Sequence, residues 1–160
     1  MKEIINEFAD KYHDAIEKSR TLERRGCRVP LKGISSSSLV IDLDKEGSPL
    51  ASQETRCDFL FIAEIRDELC IFSPLEFKKG ALDASKVVGQ LQSGVNLLED
   101  HPDISRDVKL VPIAVSGQNP KAQLKKLANP GYQILFKGRQ IKVSYMRYGS
   151  RLMDVLGKYF

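Results

Sequence analysis

Residues 57–78 read CDFLFIAEIRDELCIFSPLEFK, and this stretch decides the predicted fold. It contains two runs rich in β-branched and aromatic side chains, residues 57–65 and 69–78, separated by the polar triplet Arg66-Asp67-Glu68. Runs of this composition favour β-strands, and so short a connection favours an antiparallel hairpin. We therefore expect this stretch to form the central hairpin of a β-sheet.

Charged residues interrupt these otherwise apolar runs, and three of them, Asp58, Glu76 and Lys78, lie at the ends of the runs away from the connecting triplet. Glu76 and Lys78 lie two positions apart in the second run, so their side chains share one face of the predicted strand. Asp58 lies in the first run, where apolar residues surround it. Because burying a charged group is unfavourable unless it is paired or bound, these three residues are candidates for a functional site.

The register of the hairpin decides whether the two carboxylates meet. With a three-residue loop Ile65 faces Leu69, and counting back along both strands places Asp58 directly opposite Glu76. A two-residue loop would instead oppose Asp58 to Leu75 and separate the two acids. Opposed carboxylates repel each other unless a cation lies between them, so the first register predicts a cation site.

The predicted cation site is rich in oxygen ligands. Two carboxylates, a backbone carbonyl and water suit Mg²⁺ or Mn²⁺, and such an ion can activate water and stabilise charge on a phosphodiester. Lys78 can orient or deprotonate the attacking water, or neutralise the developing charge. Pro74 cannot donate to a strand ladder and indicates that the strands part near the carboxylates. The plainer alternative is that Glu76 and Lys78 form an exposed ion pair to which Asp58 is unrelated.

The flanking sequence predicts helices and strands on either side of the hairpin. Apolar residues at three- and four-residue spacing predict an amphipathic helix over residues 2–25 that ends at Gly26. Residues 39–43 favour a short strand, residues 82–98 a second helix, and residues 108–115 a buried strand of the parallel type. This order predicts a three-layer α/β domain in which a helix forms the crossover between parallel strands.

The last third of the chain predicts an accessory α/β region. Asn119-Pro120 is typical of a helix start, and this helix is expected to continue through Ala128. A second hairpin is predicted from residues 133–136 and 140–145. A final amphipathic segment then continues to Phe160.

Length and composition narrow the class of protein. The chain has 160 residues, of which 42% are hydrophobic, and this favours a single domain over residues 1–160. No apolar run approaches the roughly 20 residues of a membrane helix, and acidic residues near the N-terminus argue against a secretory signal. We therefore expect a cytoplasmic protein without membrane contact. With two His and three widely spaced Cys, the sequence offers few residues from which a His-based catalytic triad or a zinc site could be built.

Charge is distributed unevenly along the chain. The net charge is only +4, but residues 1–100 hold 14 Lys/Arg against 18 Asp/Glu, whereas residues 101–160 hold 11 against 3. A basic surface attracts phosphate backbones, although such residues also serve simply to solvate a surface. The candidate DNA contacts are Arg24, Arg25, Arg28, Lys32, Ser35, Lys79 and Lys86.

Asp58, seventeen intervening residues and then Glu76-Phe77-Lys78 resemble the D…(D/E)-x-K signature of the PD-(D/E)XK, or restriction-endonuclease-like, nuclease superfamily. The order of predicted elements over about residues 2–116 resembles the family core, α-β-β-β-α-β with a mixed sheet, and residues 117–160 would form a C-terminal α/β extension. The resemblance implies that Asp58 and Glu76 ligate Mg²⁺ or Mn²⁺ with help from the Phe77 carbonyl, and that Lys78 is the catalytic lysine. Cys57 stands where many members have proline.

Two further residues follow from the resemblance. Glu17 resembles the glutamate on the opening helix of archaeal Holliday-junction resolvases, although helical periodicity places it opposite the apolar stripe and makes Glu7 a rival. Gln90 or Gln92 matches the polar residue that the family carries on the helix after E-x-K, or is an ordinary exposed helix residue. The predicted catalytic set is Asp58, Glu76, Lys78, Glu17 and Gln90.

These features together predict a metal-dependent nuclease that hydrolyses phosphodiester bonds of DNA, as an endonuclease in repair, recombination or defence against foreign DNA. The alternative is a catalytically silent nuclease-fold module that binds nucleic acid or assembles with proteins. A third interpretation is an α/β interaction protein with no nucleic-acid role. A nuclease that cuts both strands of a duplex would suit a homodimer, and a larger nuclease complex is also compatible.

Overall fold

The structure, a computed structural model, describes residues 2–34, 37–66, 69–101, 108–117 and 120–160. The α-helices of these residues are α1 Lys2–Lys11, α2 Ala84–Glu99, α3 Lys121–Leu127 and α4 Leu152–Leu156. The strands are β1 Thr21–Arg24, β2 Cys27–Pro30, β3 Ser38–Asp42, β4 Phe59–Arg66, β5 Leu69–Lys78, β6 Val108–Leu110, β7 Ile113–Ser116, β8 Ile134–Phe136, β9 Arg139–Ile141 and β10 Ser144–Arg147. Short 3₁₀ helices cover His13–Ala15, Pro130–Tyr132 and Gly157–Tyr159.

A mixed sheet with strand order β10-β7-β5-β4-β3 lies at the centre of this α/β fold. β3, β4 and β5 are antiparallel neighbours, whereas β6 and β7 lie parallel to β5, and β10 lies parallel to β7. β6 and β7 keep one register along β5 and are separated only by Val111 and Pro112, of which the proline has no N–H to donate. The predicted parallel strand at residues 108–115 is thus confirmed, with a break at the proline.

Both faces of the sheet are covered, which gives three layers. α1, α2 and α3 pack on one face, over a core that includes Leu60 and Phe72. The β1–β2 hairpin and α4 cover the other face, over a core that includes Phe59 and Phe77. Successive side chains of a strand point to opposite faces, so a central strand between two apolar layers is hydrophobic at every position.

The predicted helix over residues 2–25 is wrong beyond Lys11. After the 3₁₀ turn the chain forms the β1–β2 hairpin, in which Leu22 pairs with Val29 and both are buried. The turn residues Arg25-Gly26 have φ angles of 53° and 80°, as a two-residue hairpin turn requires. This segment forms strands, despite the helical spacing of its apolar residues, because they are buried against the second face of the sheet. The free energy gained by this tertiary burial outweighs the local helix propensity.

The register of the central hairpin brings the two predicted acids to the same level. Phe59 pairs with Leu75, and extending this pairing by one residue places Asp58 opposite Glu76. This is the register that the sequence predicted from a three-residue loop. The connection between the strands nevertheless has two residues, since Arg66 pairs with Leu69, and without a compensating irregularity this loop length would have separated the acids.

Near its turn the hairpin departs from the predicted pairing. Arg66, rather than Ile65, pairs with Leu69, and a β-bulge between Glu64 and Arg66 takes up the extra residue. A bulge of this kind shifts the register of one strand locally while the ladder beyond it continues. The predicted pairing of Ile65 with Leu69 is therefore wrong, but the predicted position of Asp58 opposite Glu76 is correct.

The C-terminal region adds a strand to the main sheet. β8 and β9 form the predicted second hairpin, but the predicted strand over residues 140–145 is interrupted after Ile141, and β10 begins at Ser144 beside β7. The helix predicted to start near Asn119 is α3, and Asn119 itself lies outside the described residues. Among the described helices, none combines the length and apolar character that crossing a membrane demands.

Candidate metal site

Asp58 is held where β4 begins. Its N–H donates to the Leu75 carbonyl at 3.0 Å, and its own carbonyl accepts from the Leu43 N–H at 2.9 Å. Its carboxylate oxygen Oδ2 accepts a hydrogen bond from the Phe77 N–H at 2.7 Å. The side chain thus serves as an acceptor for the backbone of β5, and the carboxylate is fixed against the strand that carries Glu76.

Glu76 carries an almost completely enclosed carboxyl group. The residue is 1% exposed, and its Oε1 lies 2.9 Å from Lys78 Nζ. Its Oε2 is buried and has no hydrogen-bond partner among the described residues. Because buried polar atoms in proteins nearly always have a partner, Oε2 marks a place for a proton, a water or a cation.

The two acids perturb each other. Burial, followed by the negative charge of Asp58, raises the pKa of Glu76 to about 7, against the opposing effect of Lys78. Burial also raises the pKa of Asp58, which the Phe77 N–H and the Arg24 guanidinium lower in part. A divalent cation favours the charged form of both acids and removes their mutual repulsion.

A metal at this position would be held by few protein ligands. In the part of the chain that the structure describes, no three or more His, Cys, Asp and Glu residues are grouped to hold a metal ion. Asp58, Glu76 and the Phe77 carbonyl supply oxygen ligands only. This set fits Mg²⁺ or Mn²⁺, since Mg²⁺ binds through one or two carboxylates and keeps several of its waters.

Arg24, at the end of β1, contacts the Asp58 carboxylate from the β1–β2 hairpin that covers one face of the sheet. Its Nη2 lies 2.6 Å from Asp42 Oδ1, and its Nε lies 3.3 Å from Asp44 Oδ2 and 3.5 Å from Asp58 Oδ1. The guanidinium carbon is 4.6 Å from the centre of the Phe59 ring. The structure therefore places this predicted DNA contact among three carboxylates, with a side chain that is 20% exposed.

Helix α2 packs closely on the strands that form the site. A Cβ on Gly94 would lie 2.7 Å from Cys57 Sγ and 2.8 Å from Pro74 Cβ, so the close approach depends on glycine. Burial and the two neighbouring acids raise the pKa of the Cys57 thiol, which keeps this wall of the site uncharged. One turn before Gly94, the side-chain oxygen of Gln90 is buried without a hydrogen-bond partner among the described residues.

The structure distinguishes the two glutamines that the sequence leaves open. Gln92 bonds the backbone of Leu135, donating from Nε2 to the carbonyl at 2.9 Å and accepting from the N–H at 2.9 Å, and its Nε2 also donates to Asn96 Oδ1 at 2.9 Å. It therefore joins α2 to β8. Across the described residues, the buried side-chain atoms without a hydrogen-bond partner are Arg24 Nε, Glu76 Oε2 and Gln90 Oε1, and all three belong to predicted site residues.

Both candidate N-terminal glutamates are engaged with other partners. Glu17 follows the first 3₁₀ helix, accepts a hydrogen bond from the Ser19 N–H at 2.9 Å and lies 3.8 Å from Lys45 Nζ. Glu7 lies on α1, 3.2 Å from Nδ1 of His101. The expectation that Glu17 lies on the opening helix is wrong, because that helix ends six residues earlier at Lys11.

Two of the predicted DNA contacts lie close to the acids. Arg25 is exposed in the β1–β2 turn, and its positive charge lowers the pKa of both Asp58 and Glu76. Lys79 is exposed directly after β5, and its charge partly offsets the rise that burial causes in the pKa of the Cys27 thiol in β2. The hairpin turn and the end of β5 therefore present two cations beside the carboxylate pair.

The remaining predicted DNA contacts lie on other exposed surfaces. Arg28 is exposed in β2 and forms an ion pair with Glu23 at 2.9 Å. Lys32 is exposed after β2, and Lys86 is exposed in the first turn of α2. Ser35 lies outside the described residues. These side chains are thus positioned independently of the carboxylate pair.

Sequence reasoning missed Asp42 and Asp44. Asp42 ends β3, pairs with Phe59 in the ladder and is 5% exposed. Asp44 lies in the turn that follows and accepts a hydrogen bond from Arg56 Nε at 2.7 Å. The available sequence signal is that Asp42 ends one apolar strand and Asp58 directly precedes the neighbouring one. Acidic residues at adjacent strand ends indicate such a cluster.

Comparisons with known proteins give no further residue assignments. No protein-family model, no curated protein and no solved structure matches this chain. The resemblance to PD-(D/E)XK nucleases therefore rests on Asp58, Glu76 and Lys78 and on the order of the elements around them.

Proposed function

We propose that this chain is a metal-dependent nuclease that hydrolyses phosphodiester bonds of DNA, as an endonuclease in repair, recombination or defence against foreign DNA. The observation that carries the proposal is the buried oxygen Oε2 of Glu76, which has no hydrogen-bond partner among the described residues. In addition, the negative charge of Asp58 raises the pKa of the Glu76 carboxyl group. A buried acid pair with such an oxygen is suited to binding a cation.

The residues that would hold Mg²⁺ or Mn²⁺ are Asp58, Glu76 and, through its carbonyl, Phe77. When bound, such an ion activates water and stabilises charge on a phosphodiester. The chain itself supplies rigidity, since the Phe77 N–H holds one oxygen of Asp58 at 2.7 Å and the Lys78 ammonium holds one oxygen of Glu76 at 2.9 Å. Each carboxylate is thereby oriented before any ligand arrives.

Lys78 links the buried acids to the solvent. Its side chain is 19% exposed, so its ammonium group can contact a substrate while it bonds Glu76. At that position a lysine orients the attacking water or neutralises the charge that develops on the phosphate. Arg25 and Lys79, exposed nearby, are the backbone-contacting cations of the proposal.

One observation favours the alternative function, a nuclease-fold module that binds nucleic acid or proteins without cleaving. The Arg24 guanidinium already supplies a positive charge to Asp58, at 3.5 Å. A permanently neutralised acid has less affinity for a metal ion, because the same carboxylate serves both cations. Binding of nucleic acid without metal-dependent cleavage would be the behaviour of this alternative.

The test is cleavage of linear, single-stranded and branched DNA, and of RNA, in Mg²⁺, Mn²⁺ or EDTA. Asp58→Asn keeps an acceptor for the Phe77 N–H, and Lys78→Met keeps the apolar stem of the lysine, so both variants are expected to fold. We expect metal-dependent cleavage by the wild type and a loss of at least about 100-fold in each variant. Lys18→Met, at an exposed lysine in another region, is the matched control and should cut normally.

Two results would contradict the proposal. Equal cleavage by the wild type and both site variants would remove Asp58 and Lys78 from catalysis. A folded wild type that cuts no substrate with either metal would also reject it. In that second case, salt-sensitive binding of nucleic acid would support the silent module.

A further inference from the structure

A long cleft lies at the outer edge of β6, apart from the carboxylate pair. Its main cavity has a volume of about 770 Å³ and lies between α3, the residues that join β9 to β10, and the C-terminal α4 region. A second cavity of about 350 Å³ adjoins it and shares Lys109, Leu110 and Ile141 with it. The two cavities share part of their lining and are together called the trough, whose volume is large enough for nucleotide-sized groups.

The trough is strongly basic. Lys109, Lys142 and Lys158 line the main cavity, and Lys137 and Arg139 line the second. This cluster accounts for part of the charge asymmetry between the two ends of the chain. Its lysines come from β6, from the β8–β9 turn, from the β9–β10 connection and from the C-terminal 3₁₀ helix, so the fold gathers them from four separate segments.

The acidic residue that lines the trough does not offset this charge. Asp154 is bound by Arg151, whose Nη2 and Nε lie 2.9 Å and 3.2 Å from Oδ1. The other oxygen, Oδ2, accepts from the Arg151 N–H at 3.0 Å. Both oxygens of this carboxylate are thus engaged outside the lysine cluster.

Two of the lysines share one aromatic ring. The ammonium nitrogens of Lys109 and Lys158 lie 5.4 Å and 5.1 Å from the centre of the Tyr159 ring. Within the described segments, neither lysine has an ion-pair partner. Both ammonium groups are therefore held near the same ring, and a bound anion would offset their positive charge.

We propose that this trough binds a segment of single-stranded nucleic acid, with phosphates at the lysines and bases against the aromatic side chains. A groove with basic and aromatic side chains is the arrangement that binds single strands, because every base can stack and every linkage carries a charge. A single strand exposes its bases to such side chains, whereas a duplex keeps its bases stacked inside. This binding goes beyond the proposed cleavage and does not require it.

The trough has a direct structural connection to the carboxylate pair. Tyr145, which lines the main cavity, is in register with Ala114, and Ala114 is in register with Glu76. Residues in register in adjacent parallel strands point to the same face, and two strand spacings are about 10 Å. Tyr145 therefore lies about 10 Å from Glu76, two strands away on the same face of the sheet.

The test is fluorescence anisotropy of a labelled oligothymidine in EDTA at several salt concentrations. We expect the double variant Lys109→Ala/Lys158→Ala to bind about tenfold more weakly or worse, and its slope of log affinity against log salt to fall by about 1.4. Lys142→Ala, from the opposite wall, should weaken binding in the same direction. Lys11→Ala/Lys18→Ala loses the same charge from exposed lysines elsewhere and should bind like the wild type.

Each other outcome overturns the inference. If both double variants lose affinity equally, the effect is one of net charge and not of the trough. If polyglutamate of equal charge displaces the oligothymidine as well as unlabelled oligothymidine does, the trough is a site for acidic peptides. The assay is made in EDTA and measures binding alone, so a failure of the proposed cleavage leaves this measurement readable.

Discussion

Arg24 Nε lies 3.5 Å from Asp58 Oδ1, and the Nη2 of the same guanidinium lies 2.6 Å from Asp42 Oδ1. The side chains of these two acids are only 6% and 7% exposed. One arginine from the covering hairpin therefore balances two acids at the ends of β3 and β4. The contact also connects the second layer directly to the proposed metal site.

The first prediction concerns this arginine. Arg24→Ala should lower the free energy of unfolding by about 3 kcal/mol, because it leaves two buried carboxylates without their shared cation. Arg28→Ala, which breaks the exposed pair with Glu23 on the same hairpin, should cost less than about 1 kcal/mol. Urea unfolding of both variants measures the difference. Equal effects would show that Arg24 is not a structural counter-ion.

The second prediction follows from the raised pKa of Glu76. In the folded protein this pKa is about 7, against an ordinary value of 4.5. Between these pH values the folded state binds more protons than the unfolded state, so stability falls as the pH rises. Glu76→Gln should therefore be more stable than the wild type at about pH 8, by about 2 kcal/mol, and gain little near pH 4. Urea unfolding at both pH values measures this.

The third prediction adds the metal ion to this comparison. Mg²⁺ should raise the melting temperature of the wild type at about pH 8, because it binds the folded state and favours the charged form of Glu76. Glu76→Gln should gain much less, and sodium chloride at matched ionic strength is the control. A wild type that Mg²⁺ stabilises no more than salt does would count against the cation site.

The sheet could be predicted because it depends on short-range patterns, and residues 57–78 are hydrophobic enough for central strands. The position of Asp58 opposite Glu76 was predicted from a three-residue loop, and it is correct only because a bulge compensates for the shorter connection. The bulge near the turn could not be predicted, because the sequence does not show which strand carries the extra residue. The register at the site is nevertheless the predicted one.

The cluster around Arg24 could not be predicted, because it depends on contacts between distant segments. Arg24 and Asp42 are 18 residues apart, and they meet only because the β1–β2 hairpin folds over the sheet. The sequence predicted a helix for this segment from the spacing of its apolar residues. The available sequence signal for a turn was Arg25-Gly26. Both residues have positive φ angles, as a two-residue hairpin turn requires, and the first strand ends there.

The fourth prediction compares two glycines of α2. Gly94→Ala should be destabilising by about 1–3 kcal/mol, because the new Cβ would lie 2.7 Å from Cys57 Sγ and 2.8 Å from Pro74 Cβ. Gly89→Ala meets nothing within 4 Å on the same helix and should stabilise by about 0.5–1 kcal/mol through helix propensity. Thermal unfolding measures both changes. Opposite signs are expected, and stabilisation by both would mean that α2 does not pack closely at the site.

The fifth prediction separates Gln90 from Gln92. Gln90→Met removes a buried oxygen that has no hydrogen-bond partner among the described residues. The free energy of unfolding should therefore stay equal or rise by up to about 1 kcal/mol. The cleavage rate should fall if Gln90 acts in the site. Gln92→Met breaks two hydrogen bonds to Leu135 and should cost about 1–2 kcal/mol, while the folded fraction cuts normally. Urea unfolding and cleavage rates measure the two effects. A loss of stability at Gln90 with unchanged cleavage would make it a structural residue.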